Sequence, residues 1–134
     1  MSPLFNKLNL GTGTVIHVLN APRSFAPELA LLKGVTVKRA LAGPATFAMA
    51  FVITQAELDA ASRKLAAACS GDAILWMVYP KGTSRKYRCE FNRDSGWAIL
   101  DAAGFEPVRM VAVDEDWSAL RFRRVEYIRK KART

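Results

Sequence analysis

A short basic loop carries the residues of this chain that are best suited to bind an anion. Residues 79–87 read Tyr-Pro-Lys-Gly-Thr-Ser-Arg-Lys-Tyr and follow a buried apolar run. Hydroxyl groups and cations of this kind are the donors that phosphate and carboxylate groups prefer. Because ligands of open α/β sheets bind where the strands end, we predict an anion site at this loop. Its candidate residues are Lys81, Thr83, Ser84, Arg85, Lys86 and Arg93.

Three further features would complete this anion site. A helix capped by Asn92 or Asp94 would turn its free N–H groups toward the anion. Asn20 follows the first predicted strand. We favour a core or edge role for Trp117, because buried tryptophan is the commoner case, and the alternative is that Trp117 or Tyr87 offers a ring face on which a base could stack. The alternative interpretation is a solvated loop whose arginines pair with nearby carboxylates, including those of the acidic turn at residues 114–117. Both interpretations remain open at this point.

The net charge of +8 arises from 20 Lys plus Arg against 12 Asp plus Glu. Much of the excess lies in the basic loop and in the C-terminal residues. Clustered cations indicate an anionic small molecule or nucleic acid as a partner. For the basic tail, residues 129–134, we favour a solubilising role, because charge alone is a weak indicator of binding.

Catalytic and metal-binding patterns are weak. His17 is the single histidine and lies inside a predicted strand, without a partner motif. Cys69 lies late in a predicted helix, and Cys89 follows several cations but has no general base nearby in the sequence. The two cysteines also lack the spacing of a metal site. We therefore predict no catalytic residue and no metal.

The residues named so far need elements that position them, and the chain has an α/β order. Apolar runs predict six strands, at residues 14–19, 35–39, 47–53, 73–78, 108–113 and 118–122. Helices are predicted over residues 25–33 with Ser24 as the cap, from the capping box Thr54–Glu57 to residue 70, and from residues 92–94 to Gly104.

Buried strands between amphipathic helices predict a single Rossmann-like three-layer α/β domain over residues 1–128. The sheet should be mostly parallel, with right-handed crossovers. The tight turn at residues 114–117 forces the last strand to run antiparallel, so a C-terminal antiparallel hairpin closes the sheet.

This element order resembles the fold of S-adenosylmethionine-dependent methyltransferases, with one helix missing between the second and third strands. A cofactor site of that kind needs glycines directly after the first strand and an acid at the end of the second. Here the first strand is followed by Asn20-Ala-Pro-Arg-Ser, and the second ends in Lys38 and Arg39. We therefore expect the ordinary site to be absent and predict no cofactor.

Several segments together resemble a family of short bacterial proteins catalogued only as a domain of unknown function. They are residues 18–22, 75–84, 92–97, 104–114 and 117–122. The resemblance covers nearly the whole chain and is strongest from Leu75 to Phe122. It implies a bacterial cytoplasmic protein and brings no activity, cofactor or residue role.

The composition is that of a globular protein, with 51% apolar and 24% charged residues. The longest apolar runs are far too short to span a bilayer, so we expect no membrane association. The first residues show no secretory signal, and two cysteines make no disulfide framework. A cytoplasmic location is the expectation.

From the sequence we favour a non-catalytic binding or regulatory protein whose basic loop holds an anionic ligand. One alternative is a divergent methyltransferase-like transferase with an altered cofactor site. The other is a protein-interaction subunit that uses the edge of the hairpin and the basic tail to bind a protein partner.

Overall fold

The computed structural model describes residues 3–41 and 43–132, with side chains through residue 128. Its helices are α1 (Pro3–Lys7), α2 (Ala26–Ala30, preceded by a 3₁₀ turn at Arg23–Phe25), α3 (Gln55–Ala68), α4 (Ala98–Ala102) and α5 (Val125–Ala132). Its strands are β1 (Val15–Leu19), β2 (Thr36–Lys38), β3 (Ala45–Phe51), β4 (Cys69–Pro80), β5 (Phe105–Ala112) and β6 (Trp117–Arg124).

One six-stranded sheet runs through the molecule in the order β2-β1-β3-β4-β6-β5. The pairs β1–β2, β1–β3 and β3–β4 are parallel, whereas β6 runs antiparallel to both β4 and β5. The predicted Rossmann-like fold with a C-terminal antiparallel hairpin is therefore confirmed. All four parallel strands end at one edge of the sheet, which we call the carboxyl edge.

Alternating residues of the central strands divide the core into two layers. Phe47, Met49 and Phe51 of β3 pack on one side with α1 and α2, and Ala48 and Ala50 face the opposite side with α3 and α4. Both sides are covered, which explains why β3 and β4 appear in the sequence as continuous apolar runs.

Helix α3 owes its two ends to specific hydrogen bonds. At the start, the Thr54 hydroxyl accepts from the backbone N–H of Glu57 at 3.1 Å, and the Glu57 carboxylate accepts from the N–H of Thr54 at 2.9 Å. This is the predicted capping box. At the end, Arg124 of β6 donates to the carbonyls of Ala66 and Cys69 at 3.2 and 2.6 Å. The helix is thereby tied to the hairpin.

Several predicted boundaries are wrong. The N-cap of α2 is Phe25, and Ser24 lies within the 3₁₀ turn. Helix α3 passes directly into β4 at Cys69, before the Gly71 at which we expected it to stop. Helices α1 and α5 lack a prediction altogether. They are short, and their positions depend on packing against the sheet.

The C-terminal helix α5 includes the backbone of residues 129–132, where we predicted a basic tail. The side chains of residues 129–132 and the whole of residues 133–134 lie outside the described part of the chain. The solubilising role of this tail therefore stays a prediction. The hairpin edge is β5, which exposes Val108 and Met110. Its use as a protein-binding edge likewise stays a prediction.

Candidate functional site

The two larger cavities near the carboxyl edge lie on either side of the start of α3. The first, which we call the β1 groove, has a volume of about 970 Å³ and runs along α3 beside the end of β1. Its lining residues are Leu19, Asn20, Arg39, Ala40, Leu41, Gly43, Pro44, Glu57, Ala60, Ala61, Lys64, Ala67, Ala68 and Ser70.

The β1 groove exists because the connection between β2 and β3 contains no helix in its described residues. The exposed face of α3 is therefore left open, and its alanines make one wall. At the end of β1 the chain turns through Asn20, which has a left-handed φ of 59°. Asparagine tolerates this conformation better than most residues, so the turn forms here without glycine.

The charge of the β1 groove is mixed. Arg39 and Lys64 are exposed and form no ion pair with any described residue. Glu57 also lines the groove, and its Oε1 atom accepts from the backbone N–H groups of Thr54 and Ile53, each at 2.9 Å. The bond from Thr54 contributes most to a lowered pKa of this carboxyl, which partial burial opposes. Glu57 is therefore a fixed carboxylate with Oε2 left for a ligand.

The second cavity, which we call the loop pocket, has a volume of about 770 Å³ and lies at the end of β4. It is lined by the basic loop, by residues of the segment 88–95 that follows the loop, and by two residues of the hairpin. Its lining residues are Tyr79, Pro80, Lys81, Gly82, Thr83, Ser84, Tyr87, Arg88, Cys89, Glu90, Phe91, Asn92, Arg93, Ser95, Met110 and Ser118.

The basic loop is folded by its own polar groups. The Ser84 hydroxyl donates to Asp116 at 2.8 Å and accepts from the backbone N–H groups of Lys86 and Tyr87 at 3.2 Å. The N–H of Lys81 donates to the carbonyl of Asp116 at 2.8 Å. The acidic turn thus holds the loop through hydrogen bonds, and the described residues show no ion pair between loop and turn. Ser84 is consequently a structural residue of the loop.

Burial alters the titration of two groups in the loop pocket. The pKa of Tyr79 is raised chiefly by desolvation, against the opposing effect of Arg93. The pKa of the Cys89 thiol is also raised, mainly by burial. At neutral pH both groups are therefore protonated, and the charged groups of the pocket are its arginines, Lys81 and Glu90.

The predicted anion site is only partly assembled. Lys81, Thr83, Ser84 and Arg93 line the loop pocket. Arg85 and Lys86 instead line a separate surface cavity of about 570 Å³, together with Thr83 and the acids Glu115 and Asp116. The basic loop therefore divides its cations between two surfaces.

Two predicted site residues lie elsewhere. Asn20 lines the β1 groove. Trp117 is 3% exposed and packs against Phe51 and Tyr87, with ring centroids 5.2 and 4.9 Å away. Its ring faces serve the core, so the geometry does not offer them to a stacking base.

The helix that we expected to complete the anion site begins later and is shorter than predicted. Its N-cap is Trp97, without a side-chain cap. The Asn92 side chain accepts from the N–H of Asp94 at 2.8 Å, and this local bond forms a turn in place of a helix start. The prediction that a helix N-terminus at Asn92 or Asp94 faces the anion is wrong.

Sequence reasoning missed the pocket walls. Tyr79, Tyr87 and Phe91 line the loop pocket, and Arg88 adds a cation that the predicted site did not include. It also missed the β1 groove, although the cation at the end of the second strand, Arg39, was visible. The signal available was the short connection after that strand.

No family model matches the chain, and no curated protein matches it in sequence. The resemblance to a bacterial family of unknown function therefore stays a prediction. No helix among the described residues has the length and apolar character to cross a bilayer.

Several solved structures with a similar fold are methyltransferases. The mitomycin 7-O-methyltransferase MmcR matches with a TM-score of 0.65 and 10% identity, over 87% of this chain and 50% of that one. A SAM-dependent methyltransferase from Aquifex aeolicus matches with a TM-score of 0.58 and 16% identity, over 89% and 86%. The N-methyltransferase NodS from Bradyrhizobium japonicum WM9, in complex with S-adenosyl-L-homocysteine, matches with a TM-score of 0.55 and 12% identity. The match covers 91% of this chain and 84% of NodS.

These likenesses show a methyltransferase-like fold, and this chain spans half the length of MmcR. They also correct our leading hypothesis. A non-catalytic binding or regulatory protein is the wrong choice among our three hypotheses, because the similar structures are methyltransferases and favour the methyltransferase-like alternative.

Proposed function

We propose that this protein is a methyltransferase-like transferase whose altered cofactor site is the β1 groove. The observation that carries the proposal is the position of the groove. It opens at the end of β1, on a sheet whose fold is that of S-adenosylmethionine-dependent methyltransferases. Ligands of open α/β sheets bind at that edge.

The residues of the β1 groove differ at two places from the cofactor site of an ordinary methyltransferase, and the groove offers a replacement at each place. The glycine loop after β1 is replaced by a turn through Asn20. The acid at the end of β2 is replaced by Arg39, but Glu57 places a carboxylate in the same groove from the first turn of α3. Its Oε2 would accept from the ribose hydroxyls, a role that the β2 acid otherwise has.

The remaining groups suit the other parts of such a cofactor. Leu19, Leu41 and the Ala60 face of α3 provide an apolar wall for the base. Arg39 and Lys64 provide cations for the carboxylate of the amino-acid portion. When bound, S-adenosylmethionine supplies an activated methyl group, and the protein's part is to bind and orient it.

The test is titration calorimetry with S-adenosylmethionine, S-adenosylhomocysteine and nicotinamide cofactors. We expect saturable one-to-one binding of the first two. Ala60→Phe should abolish it, because Ala60 is an exposed helical residue that lines the groove. Ala56→Phe is the matched control, since Ala56 is exposed on the same helix outside the groove. Absence of heat with all of these ligands would overturn the proposal.

A further inference from the structure

The loop pocket offers aromatic and cationic groups to a ligand, and the proposed binding of a cofactor in the β1 groove does not use them. We propose that it is the acceptor pocket of the transferase and that it binds an aromatic molecule carrying a carboxylate or phosphate group. This inference rests on the proposed function, because it names the second substrate of the same reaction.

The apolar walls of the loop pocket are aromatic and fixed in place. The rings of Tyr79 and Phe91 are 5.7 Å apart and are among the buried residues. Tyr87, on the loop itself, is held against Trp117 at 4.9 Å. Tyr79 and Phe91 are buried in the core, so the half-buried ring of Tyr87 is the wall on which a flat apolar body can rest, at low entropic cost because that ring is held in place. This wall favours an aromatic ligand over a bare ion.

The charge of the loop pocket favours an anionic ligand. Lys81 and Arg88 form no ion pair with any described residue, and the contact of Arg93 with Asp94 is long, at 3.7 Å, and largely exposed. Among the lining residues the one carboxylate is that of Glu90, which accepts a hydrogen bond from the N–H of Gln55 at 2.9 Å. Three cations against one engaged carboxylate leave a net positive pocket.

A neutral donor also lines the pocket. Tyr79 holds its proton at neutral pH, as an ordinary tyrosine does, and burial raises its pKa further. Its hydroxyl forms no hydrogen bond with any described residue. The Ser84 hydroxyl is excluded from such a role, since the loop already uses it. The pocket therefore offers its cations and the Tyr79 phenol to an anionic group.

The position of the pocket suits an acceptor. The start of α3 separates the two cavities, with Glu57 lining the β1 groove and Glu90 lining the loop pocket. The hydrogen bonds from Gln55 to Glu90 and from Glu90 to the carbonyl of Ile53, at 2.9 and 3.1 Å, form this wall. A group transfer needs the donor and acceptor atoms about 3–3.5 Å apart, so the acceptor must reach over this wall from the loop pocket to the β1 groove.

The experiment is a calorimetric titration with phenyl phosphate and benzoate, with phenol and inorganic phosphate as partial ligands. We expect the two aromatic anions to bind at least tenfold more tightly than either partial ligand. Arg88→Gln should weaken the aromatic anions about tenfold, as expected for a lost charged hydrogen bond. Arg63→Gln is the matched control, because Arg63 is exposed on α3 and lines neither cavity.

Alkylation of Cys89 provides a second measurement at the same site. Cys89 lines the pocket, so phenyl phosphate at a concentration near the parent's Kd should slow its reaction with iodoacetamide in the parent and much less in Arg88→Gln. Inorganic phosphate binding as tightly as phenyl phosphate would overturn the inference. So would equal effects of the two arginine variants, or a single-stranded RNA that binds more tightly and depends on Arg88.

S-Adenosylhomocysteine titrated into the same proteins separates the two proposals. If it binds the parent and phenyl phosphate does not, the acceptor pocket is wrong and the proposed function stands. If it does not bind the parent, the proposed function fails, and the acceptor role fails with it. Arg88→Gln should leave its affinity unchanged, because Arg88 does not line the β1 groove.

Discussion

The carboxylate of Glu90 accepts a hydrogen bond from the backbone N–H of Gln55 at 2.9 Å, across 35 residues of sequence. The Gln55 side chain in turn donates to the carbonyl of Gly96 at 2.9 Å. Through these two bonds Gln55, the first residue of α3, holds both ends of residues 90–96, a segment that lines the loop pocket. These hydrogen bonds fix the position of the loop pocket relative to the β1 groove.

Replacing Glu90 should weaken this connection between the start of α3 and the segment that follows the basic loop. We expect Glu90→Ala to lower the free energy of unfolding by about 1 kcal/mol, because an exposed charge-assisted hydrogen bond is lost. Cys89 should also react faster with iodoacetamide, since its neighbour no longer anchors the loop. Urea unfolding and alkylation rates measure the two effects. Glu115→Ala is the control, because Glu115 is exposed in the acidic turn, and a loss as large in this variant would contradict the assignment.

Gly96 is a position where a side chain does not fit. Its φ is 97°, and a Cβ would lie 2.7 Å from the Cβ of Phe91 and 2.9 Å from Oε1 of Gln55. We expect Gly96→Ala to destabilise the fold by about 1–3 kcal/mol through strain and steric overlap. A Cβ at Gly82 would meet no atom within 4 Å, so Gly82→Ala is the matched control in urea unfolding. Equal stability of the two variants would show that the turn at Gly96 is misplaced.

The capping carboxylate of Glu57 predicts a pH dependence of stability. Its pKa in the folded protein lies below the ordinary value of 4.5, chiefly because of the hydrogen bond from the Thr54 backbone. The unfolded state therefore binds the proton more tightly, and the stabilisation is present above about pH 4.5 and lost as the pH falls through the folded pKa. The difference in unfolding free energy between parent and Glu57→Gln should shrink from pH 7 to pH 3. A constant difference across this range would contradict the capping role.

The two thiols should react at different rates. Burial raises the pKa of Cys69 to about 11, with a smaller opposing effect of Arg124. Cys69 is buried, whereas Cys89 is only half-buried. At pH 8 on the order of one Cys69 in a thousand is a thiolate, so native Cys89→Ser protein should be almost silent to a thiol reagent until urea unfolds it. Native Cys69→Ser protein should react measurably. The reverse order would contradict the burial of Cys69.

The strands and the capping box could be predicted because their signals are local. Strands β3 and β4 are continuous apolar runs, and Thr54 and Glu57 are spaced as a reciprocal cap requires. The predicted start of helix α4 is wrong because Asn92 is a residue type that often caps helices, but here its side chain accepts a hydrogen bond from the N–H of Asp94. A residue type alone does not distinguish these two uses.

The candidate site could be predicted only in part, because its walls come from residues far apart in the chain. Lys81 and Arg93 were visible as a charge cluster. The ring contact of Tyr79 with Phe91 depends on how the loop folds back. The β1 groove depends on the lack of a helix in the described part of the connection after β2. Its acid comes from Glu57, a residue whose capping signal alone indicates only a structural role.

The central claim is that the β1 groove binds S-adenosylmethionine, and amide chemical-shift mapping tests it most directly. On addition of S-adenosylhomocysteine, we predict the largest shifts at Asn20, Arg39 and Ala60, which line the groove from three separate parts of the chain. Residues of β5, on the far edge of the sheet, should not shift. An unchanged spectrum at saturating ligand, or shifts confined to residues outside the groove, would contradict the claim.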